Sequence, residues 1–207
     1  MTLIVWRAPT LAADTAAFRD DFICRRDARK IIRTQTGHLV GCAGLQACCD
    51  RFMAWALEDF AEHKTPDPLP KDQEEDFAAI VVRPDGRVLE YGYDMMVTDC
   101  TGEPFVTLGA GQDFAAALGT LGWSAVDIVK HCIKHIVWVD GDVLSLTLDG
   151  RAQLIDAETS EPKVIAQEDP EPDPEVDAPA FTGYSPANKG RMQDTAEDKE
   201  FLSERGL

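Results

Sequence analysis

Short apolar runs, each bounded by a turn signal, recur along the first 150 residues of the chain. Leu3–Trp6 is one such run, and Ala8-Pro9-Thr10 separates it from a second at Leu11–Asp14, which predicts an N-terminal β-hairpin. The apolar run from Phe77 to Arg83 and the alternating stretch from 87 to 93 flank Pro84-Asp85-Gly86, which predicts a second hairpin. The same patterns predict further strands at 29–33, 38–43, 105–108 and 143–148.

In three segments the apolar residues recur at helical spacing instead of alternating with polar ones. Between residues 46 and 63 the apolar positions are Ala47, Phe52, Trp55, Ala56 and Phe60, and the proline-rich stretch 64–72 ends the predicted helix. Two further helices are predicted at 114–121 and 124–136, and the second opens with the capping pattern Ser124-x-x-Asp127. Helices grouped between antiparallel hairpins predict an α+β fold instead of a parallel βαβ sheet.

Composition and charge argue against two classes of partner. The 207 residues are 44% hydrophobic, as expected for a globular core, and carry a net charge of −17. Phosphate backbones and anionic lipids would repel such a chain, so we expect neither a nucleic-acid nor a membrane partner. No apolar run approaches the roughly 18 residues of a membrane span. The first residues lack a basic region and a cleavage site, which predicts a cytoplasmic protein.

The composition changes near residue 155. The stretch "EDPEPDPEVDAP" (168–179) is acidic, rich in proline and without apolar periodicity, so it cannot bury enough apolar surface to fold alone. We therefore predict a folded domain over 1–155 and a mostly disordered acidic C-terminal tail over 156–207, with one short helix near 193–204. The tail is either a solvating segment or one that docks on a partner.

The cysteines and histidines do not indicate a metal centre. Neither C-x-x-C spacing nor a disulfide framework is formed by Cys24, Cys42, Cys48, Cys49, Cys100 and Cys132, which predicts buried free thiols in a reducing compartment. His131 and His135 stand four apart on a predicted helix but have no third ligand in the sequence. We therefore expect no metal and no cofactor.

The threonine after Met1 suggests a specific chemistry. A terminal threonine carries its own base, because a free α-amino group has a pKa near 8 and lies beside the hydroxyl. Such a nucleophile also needs a lysine, a carboxylate that holds the lysine, and N–H groups facing the oxyanion. The alternative is that Thr2 is only the first residue of a strand. Asp14 and Lys30 are then an ordinary strand-end acid and an exposed strand lysine.

The pattern "TLIVW…LAAD…ARKIIR…HLVGCAG" resembles the N-terminal half of the proteasome β-subunit superfamily, and is most similar to HslV-type peptidases. "FAAIVVRPDGRVLEYG" and "FVTLGAGQDFAAALGTLGWSAVDIVKHCIK" are similar to the central hairpin and helix pair of that family. The resemblance spans residues 2–148. It implies that Thr2 is the nucleophile, Asp14 the carboxylate, Lys30 the activating lysine and Gly44 the oxyanion donor. It also implies a four-layer αββα sandwich of the N-terminal-nucleophile (Ntn) hydrolase type.

The resemblance further implies a threonine peptidase in a homo-oligomeric ring that acts on peptides or unfolded proteins, with an AAA+ unfoldase as a possible partner. The residues expected around its substrate pocket are Ala43, Cys48, Gly109, Ala110 and Gly111.

Two departures from the family pattern support a second hypothesis. Ala110 occupies a position where the family commonly has serine, and "HIVWVDGD" (135–142) has Ile136 and Val139 where the family has polar groups. The family's second long helix is reduced to "KDQEED". The alternative is therefore a catalytically inactive structural or scaffold protein that keeps the fold.

Overall fold

A computed structural model describes residues 1–19, 22–61 and 77–163. The described residues form three helices and thirteen strands. The strands of the N-terminal half are β1 (Leu3–Arg7), β2 (Thr10–Asp14), β3 (Ala17–Arg19), β4 (Phe22–Arg25), β5 (Ile31–Arg33) and β6 (Leu39–Gly44). They are followed by α1 (Gln46–Leu57), β7 (Phe77–Val82), β8 (Val88–Tyr91), β9 (Val97–Asp99) and β10 (Val106–Gly109). The remaining elements are α2 (Gln112–Thr120), α3 (Ala125–His135), β11 (Val143–Thr147), β12 (Ala152–Ile155) and β13 (Pro162–Lys163).

The strands form two larger antiparallel sheets and one small one. The first sheet has the order β10-β1-β2-β11-β12-β13, and the second has the order β5-β6-β7-β8-β9. Both predicted hairpins are confirmed, since β1 pairs with β2 and β7 with β8. β3 and β4 form a two-stranded sheet that the sequence did not predict, because their short apolar runs are interrupted by charged residues. The predicted α+β class is confirmed by this mixture of helices and antiparallel sheets.

Alternation along the strands gives each large sheet two apolar faces. Ile4 and Trp6 of β1 share a buried cluster with Ile80 and Val82 of β7, so these faces meet between the sheets. On the opposite face of the first sheet, Leu3 and Val5 join a cluster with residues of α2 and α3. The opposite face of the second sheet packs against α1.

The first helix is shorter than predicted. α1 ends at Leu57 because Asp59 and Phe60 adopt left-handed backbone conformations, with φ of 53° and 58°. This turn brings the Phe60 ring onto Trp55, at a centroid distance of 4.9 Å, and lets the Trp55 indole donate a hydrogen bond to the Ala61 carbonyl. The predicted cap of α3 is confirmed, since the Ser124 side chain accepts a hydrogen bond from the Asp127 amide.

The structured part of the chain extends past the predicted domain boundary at 155. Residues 156–163 were expected to belong to the disordered tail, yet they form a turn and β13, which pairs with β12. The proline-rich stretch 64–72, "KDQEED" and the rest of the predicted tail lie outside the described residues. None of the helices in the described ranges is long and apolar enough to cross a membrane.

Candidate active site at the N-terminus

Thr2 lies where the first sheet brings β1 and β10 together. The Thr2 carbonyl accepts a hydrogen bond from the Ala110 amide at 2.6 Å, which extends the β1–β10 pairing by one residue. Gly109 has a φ of +89°, and a Cβ added there would lie 2.1 Å from the Thr2 oxygen. The predicted pocket residues Gly109 and Ala110 are therefore placed directly against Thr2, and this approach requires glycine at 109.

Asp14 and Lys30 form a buried ion pair next to the same residue. Asp14 is the last residue of β2, and none of its surface is exposed. Its two carboxylate oxygens accept hydrogen bonds from Lys30 Nζ at 2.9 and 2.8 Å, and Oδ1 also accepts one from the Leu3 amide at 2.8 Å. Because Lys30 immediately precedes β5, this pair connects the two large sheets close to the start of β1.

The third hydrogen-bond donor of Lys30 points to the peptide bond before Thr2. Lys30 Nζ donates to the Met1 carbonyl at 3.0 Å. An ammonium group has three donors, and all three are occupied by Asp14 and Met1. Lys30 thus contacts both Asp14 and Met1, the residue bonded to Thr2.

Burial changes the ionisation of this cluster. Desolvation lowers the pKa of Lys30 and raises that of Asp14, although their mutual attraction acts in the opposite direction on both groups. The pKa of the Met1 α-amine is also lowered, first by burial and then by the positive charge of Lys30. The Met1 amine therefore loses its proton more readily than an exposed α-amine.

Gly44 and Ala43 lie at the end of β6 that leads into α1. Gly44 is exposed, with a φ of +124°, and α1 begins two residues later without a side-chain cap. The positive end of the helix dipole therefore starts close to Gly44. The Ala43 Cβ lies 3.2 Å from the position that a Cβ on Gly109 would take, so Ala43 borders the contact between Gly109 and Thr2.

The two other predicted pocket residues have mainly structural surroundings. Cys48 is buried between α1 and the second sheet, and its sulfur accepts a hydrogen bond from Arg51 at 3.7 Å. Gly111 is the N-cap of α2, and its backbone packs against the side chain of Ile136.

The loop before β11 contributes to the site in a way that the sequence did not reveal. The Asp140 amide donates to Asp14 Oδ2 at 3.5 Å, and the Asp140 carboxylate pairs with Arg26 at 2.6 Å. A Cβ on Gly141 would meet the Thr15 hydroxyl at 2.6 Å, so the loop lies tightly against the end of β2. The apolar residues Ile136 and Val139 concealed this contact, because the loop contacts Asp14 through its backbone.

Cys49 is a second residue that the sequence did not single out for the site. It lies on the first turns of α1 and interacts electrostatically with Lys30 and with the Met1 amine. A cysteine in an apolar helix gives no sequence signal for such a position, since the contact depends on how α1 packs.

Two other features lie away from Thr2. The rings of His131 and His135 are 4.3 Å apart on α3, and no group of three or more potential metal ligands occurs among the described residues. A cavity of about 720 Å³ at the start of α3 is lined by residues including Trp123, Lys130 and Lys134, and it contains none of the predicted site residues.

The sequence matches no protein-family model, and no curated protein is significantly similar to it. Evidence for a function of this chain therefore comes from the geometry around Thr2 and from its short sequence motifs.

Proposed function

We propose that the chain is an N-terminal threonine hydrolase that cleaves amide bonds in peptides or unfolded proteins. The observation that carries this proposal is the position of the Lys30 ammonium. It is held by both oxygens of Asp14 and contacts the carbonyl of the residue bonded to Thr2. Two residues distant in the sequence, Asp14 and Lys30, thus lie beside the threonine whose amine is freed by removing Met1.

The proposed reaction uses the amine of Thr2 as its base. After Met1 is removed, this amine takes the proton of the Thr2 hydroxyl, and the hydroxyl oxygen attacks the substrate carbonyl. Lys30 stabilises the developing negative charge on the attacking oxygen, and the Gly44 amide binds the oxyanion. The protonated amine then gives its proton to the leaving nitrogen, and water releases the acyl group from Thr2.

Retention of Met1 would block this reaction at two atoms. The nitrogen of Thr2 is then an amide and cannot act as a base. The Met1 carbonyl also occupies the one Lys30 donor that Asp14 does not use. Removing Met1 therefore supplies the base and frees a donor of Lys30 in one step.

The packing of the layers supports the proposal. Apolar clusters lie between α2/α3 and the first sheet, between the two sheets, and between the second sheet and α1. This order is the one expected of a four-layer αββα Ntn-hydrolase sandwich, which we propose for the chain. A homo-oligomeric ring, an AAA+ unfoldase partner and a cytoplasmic location are parts of the same proposal.

An inactive structural protein with the same fold is the second candidate. Ala110, whose amide bonds to the Thr2 carbonyl, has a methyl group instead of a hydroxyl, and Ile136 packs against Gly111. A missing polar donor near a nucleophile lowers rates by about 10²–10³-fold, so these positions favour a weakened or absent activity.

Intact-mass measurement of the purified protein and labelling by a threonine-directed epoxyketone separate the two candidates. We expect Met1 to be absent and the label to attach to Thr2. Thr2→Ala should lower labelling about a thousandfold or more, because the nucleophile is removed. Thr2→Ser keeps a hydroxyl, and Thr10→Ala changes a threonine elsewhere in the same sheet, so both should retain labelling. Retained Met1, or labelling that persists in Thr2→Ala, would contradict the enzyme proposal.

A further inference from the structure

Two thiols, those of Cys42 and Cys49, lie in the same packed cluster between the second sheet and the first helix. Cys42 lies on β6 and belongs to the cluster that packs against α1, where it is only 3% exposed. Cys49 lies on α1, packs against the same cluster and is partly exposed. The Cys42 thiol lies close enough to that of Cys49 to lower the Cys49 pKa as a neighbouring donor.

This thiol pair adjoins the candidate active site. The backbone amide of Cys42 donates to the Lys30 carbonyl at 3.2 Å, so Cys42 stands next to Lys30 across the β5–β6 edge. Gly44 and Leu45 lie in the short connection between the two cysteines. A covalent bond between the thiols would therefore enclose the proposed oxyanion donor in a closed loop.

We propose that Cys42 and Cys49 are a peroxide-sensitive thiol pair that forms a disulfide between β6 and α1. Cys49 is the thiol that reacts first, since it is the more exposed of the two. Cys42 is the thiol that resolves the intermediate, since it is buried behind Cys49.

The chemistry is a two-electron oxidation by hydrogen peroxide. The Cys49 thiolate attacks one peroxide oxygen and the O–O bond breaks, which gives a sulfenic acid and a hydroxide that becomes water with the thiol proton. The Cys42 sulfur then attacks the Cys49 sulfur, and the sulfenic hydroxyl leaves as water with the Cys42 proton. In total, two thiols and one peroxide give one disulfide and two waters.

The surroundings of the cysteines explain why Cys49 should react before Cys100 and Cys132. The neighbouring Cys42 thiol lowers the pKa of Cys49, and the nearby Lys30 ammonium acts in the same direction. Burial raises the pKa of Cys100, and the neighbouring Glu90 carboxylate raises it further. Burial also raises the pKa of Cys132 to about 11.

The test is a map of the disulfide in the full chain after treatment with hydrogen peroxide. Chymotrypsin cleaves after large apolar residues, so cleavage after Leu39, Leu45 and Phe52 separates Cys42 from the peptide that holds Cys48 and Cys49. We expect a peroxide-dependent link between these two peptides, which fragmentation assigns to Cys49, and its loss on reduction. Wild-type protein suffices for this result, so it does not depend on a variant that folds.

Matched variants test the assignment. Cys49→Ser should abolish the link, whereas Cys48→Ser, which changes the adjacent residue, should leave it in place. Before oxidation, alkylation by iodoacetamide should be about tenfold faster at Cys49 than at the partly exposed Cys100, because the thiolate is the reacting form. A link through Cys48 or Cys24, or oxidation of Cys49 without a disulfide, would overturn the proposal.

We expect the disulfide to inhibit the enzyme, an effect that rests on the proposed function. Labelling of Thr2 measures this effect separately from the disulfide map. Oxidised protein should lose labelling of Thr2 by the epoxyketone and regain it on reduction, while Cys49→Ser should stay labelled under peroxide. A disulfide that forms without altering the labelling of an active enzyme would overturn the regulatory role. Absence of labelling in both states would count against the hydrolase and leave the mapped disulfide as evidence for the thiol pair.

Discussion

Asp14 and Lys30 form an ion pair in which both side chains are buried. Both charges are almost completely removed from water, and the carboxylate is held by the Leu3 amide in addition to the ammonium. Removing one partner of a buried ion pair leaves the other charge unpaired, which is the main energetic consequence of such a mutation. The pair therefore links the stability of the N-terminus to its proposed chemistry.

Lys30→Met should lower the free energy of unfolding by about 3–5 kcal/mol, because Asp14 is then buried without a counter-charge. Urea unfolding followed by circular dichroism measures this change. The double variant Asp14→Asn/Lys30→Met should cost less than Lys30→Met alone, since neither charge is present. Lys163→Met removes a lysine that is 43% exposed and should change stability by about 1 kcal/mol or less. Equal costs for Lys30→Met and Lys163→Met would contradict this account of the pair.

Gly109→Ala tests the close approach of β10 to Thr2. The added methyl group would collide with the Thr2 carbonyl, and the residue also has a positive φ. Gly86→Ala is a matched control, because Gly86 has a φ of +88° and open space around the missing Cβ. The backbone strain of about 1–2 kcal/mol applies to both variants, and overpacking should add about 1–3 kcal/mol only at Gly109. Thermal unfolding of the two variants should therefore differ clearly, and similar melting temperatures would argue against the contact.

The Asp156 carboxylate stabilises the turn between β12 and β13. Asp156 accepts hydrogen bonds from the amides of Glu158 and Thr159, both at 2.8 Å, and pairs with Lys163 at 3.1 Å. These contacts explain why a segment with the composition of the predicted tail is structured up to Lys163. They also lower the pKa of Asp156 to about 2, mainly through the bond from the Thr159 amide.

The stability of this turn should depend on pH in a defined window. A lowered pKa means that the carboxylate stabilises the turn fully above its unfolded pKa of 3.8, and that this contribution is lost as the pH falls through about 2. A carbon-detected NMR titration of the Asp156 carboxyl in the full chain should give a midpoint near 2. Amide exchange at Thr159 should increase over the same range, and Asp156→Asn should remove that step. A midpoint close to 3.8 would show that the turn does not hold the carboxylate.

At the scale of the whole molecule, the two large sheets share one apolar core. Ile80 of β7 is fully buried in the cluster that also contains Ile4 of β1 and Leu11 of β2. Because both sheets lose contacts when this cluster is weakened, their unfolding should be coupled.

Ile80→Ala should lower the free energy of unfolding by about 2–5 kcal/mol through lost contacts and a new cavity. Hydrogen exchange read by mass spectrometry should show the same loss of protection in the slowest amides of β1 and β2 as in those of β6 and β7. Loss of protection confined to β6 and β7 would mean that the sheets unfold independently.

Much of the element pattern follows from the sequence alone. The two hairpins, the cap at Ser124 and the α+β class follow from alternation, turn residues and capping chemistry, which act between residues close in the chain. The end of α1 does not follow from such rules, because it depends on Phe60 folding back onto Trp55. β3, β4, β9, β12 and β13 have only two to four residues, which is too short for alternation to distinguish them from loops, and they exist because neighbouring strands pair with them.

Some features of the candidate site likewise follow from the sequence, and others follow only from the tertiary structure. The sequence by itself determined that a threonine follows Met1 and that an aspartate, a lysine and two glycine segments follow it in short apolar runs. Only the tertiary structure decided that Lys30 reaches both Asp14 and the Met1 carbonyl, that the Asp140 backbone supports the carboxylate, and that Cys42 and Cys49 meet beside Lys30. The reason is physical: hydrogen bonds and ion pairs between distant residues depend on sheet register and on helix packing. Local sequence patterns constrain those two properties only weakly.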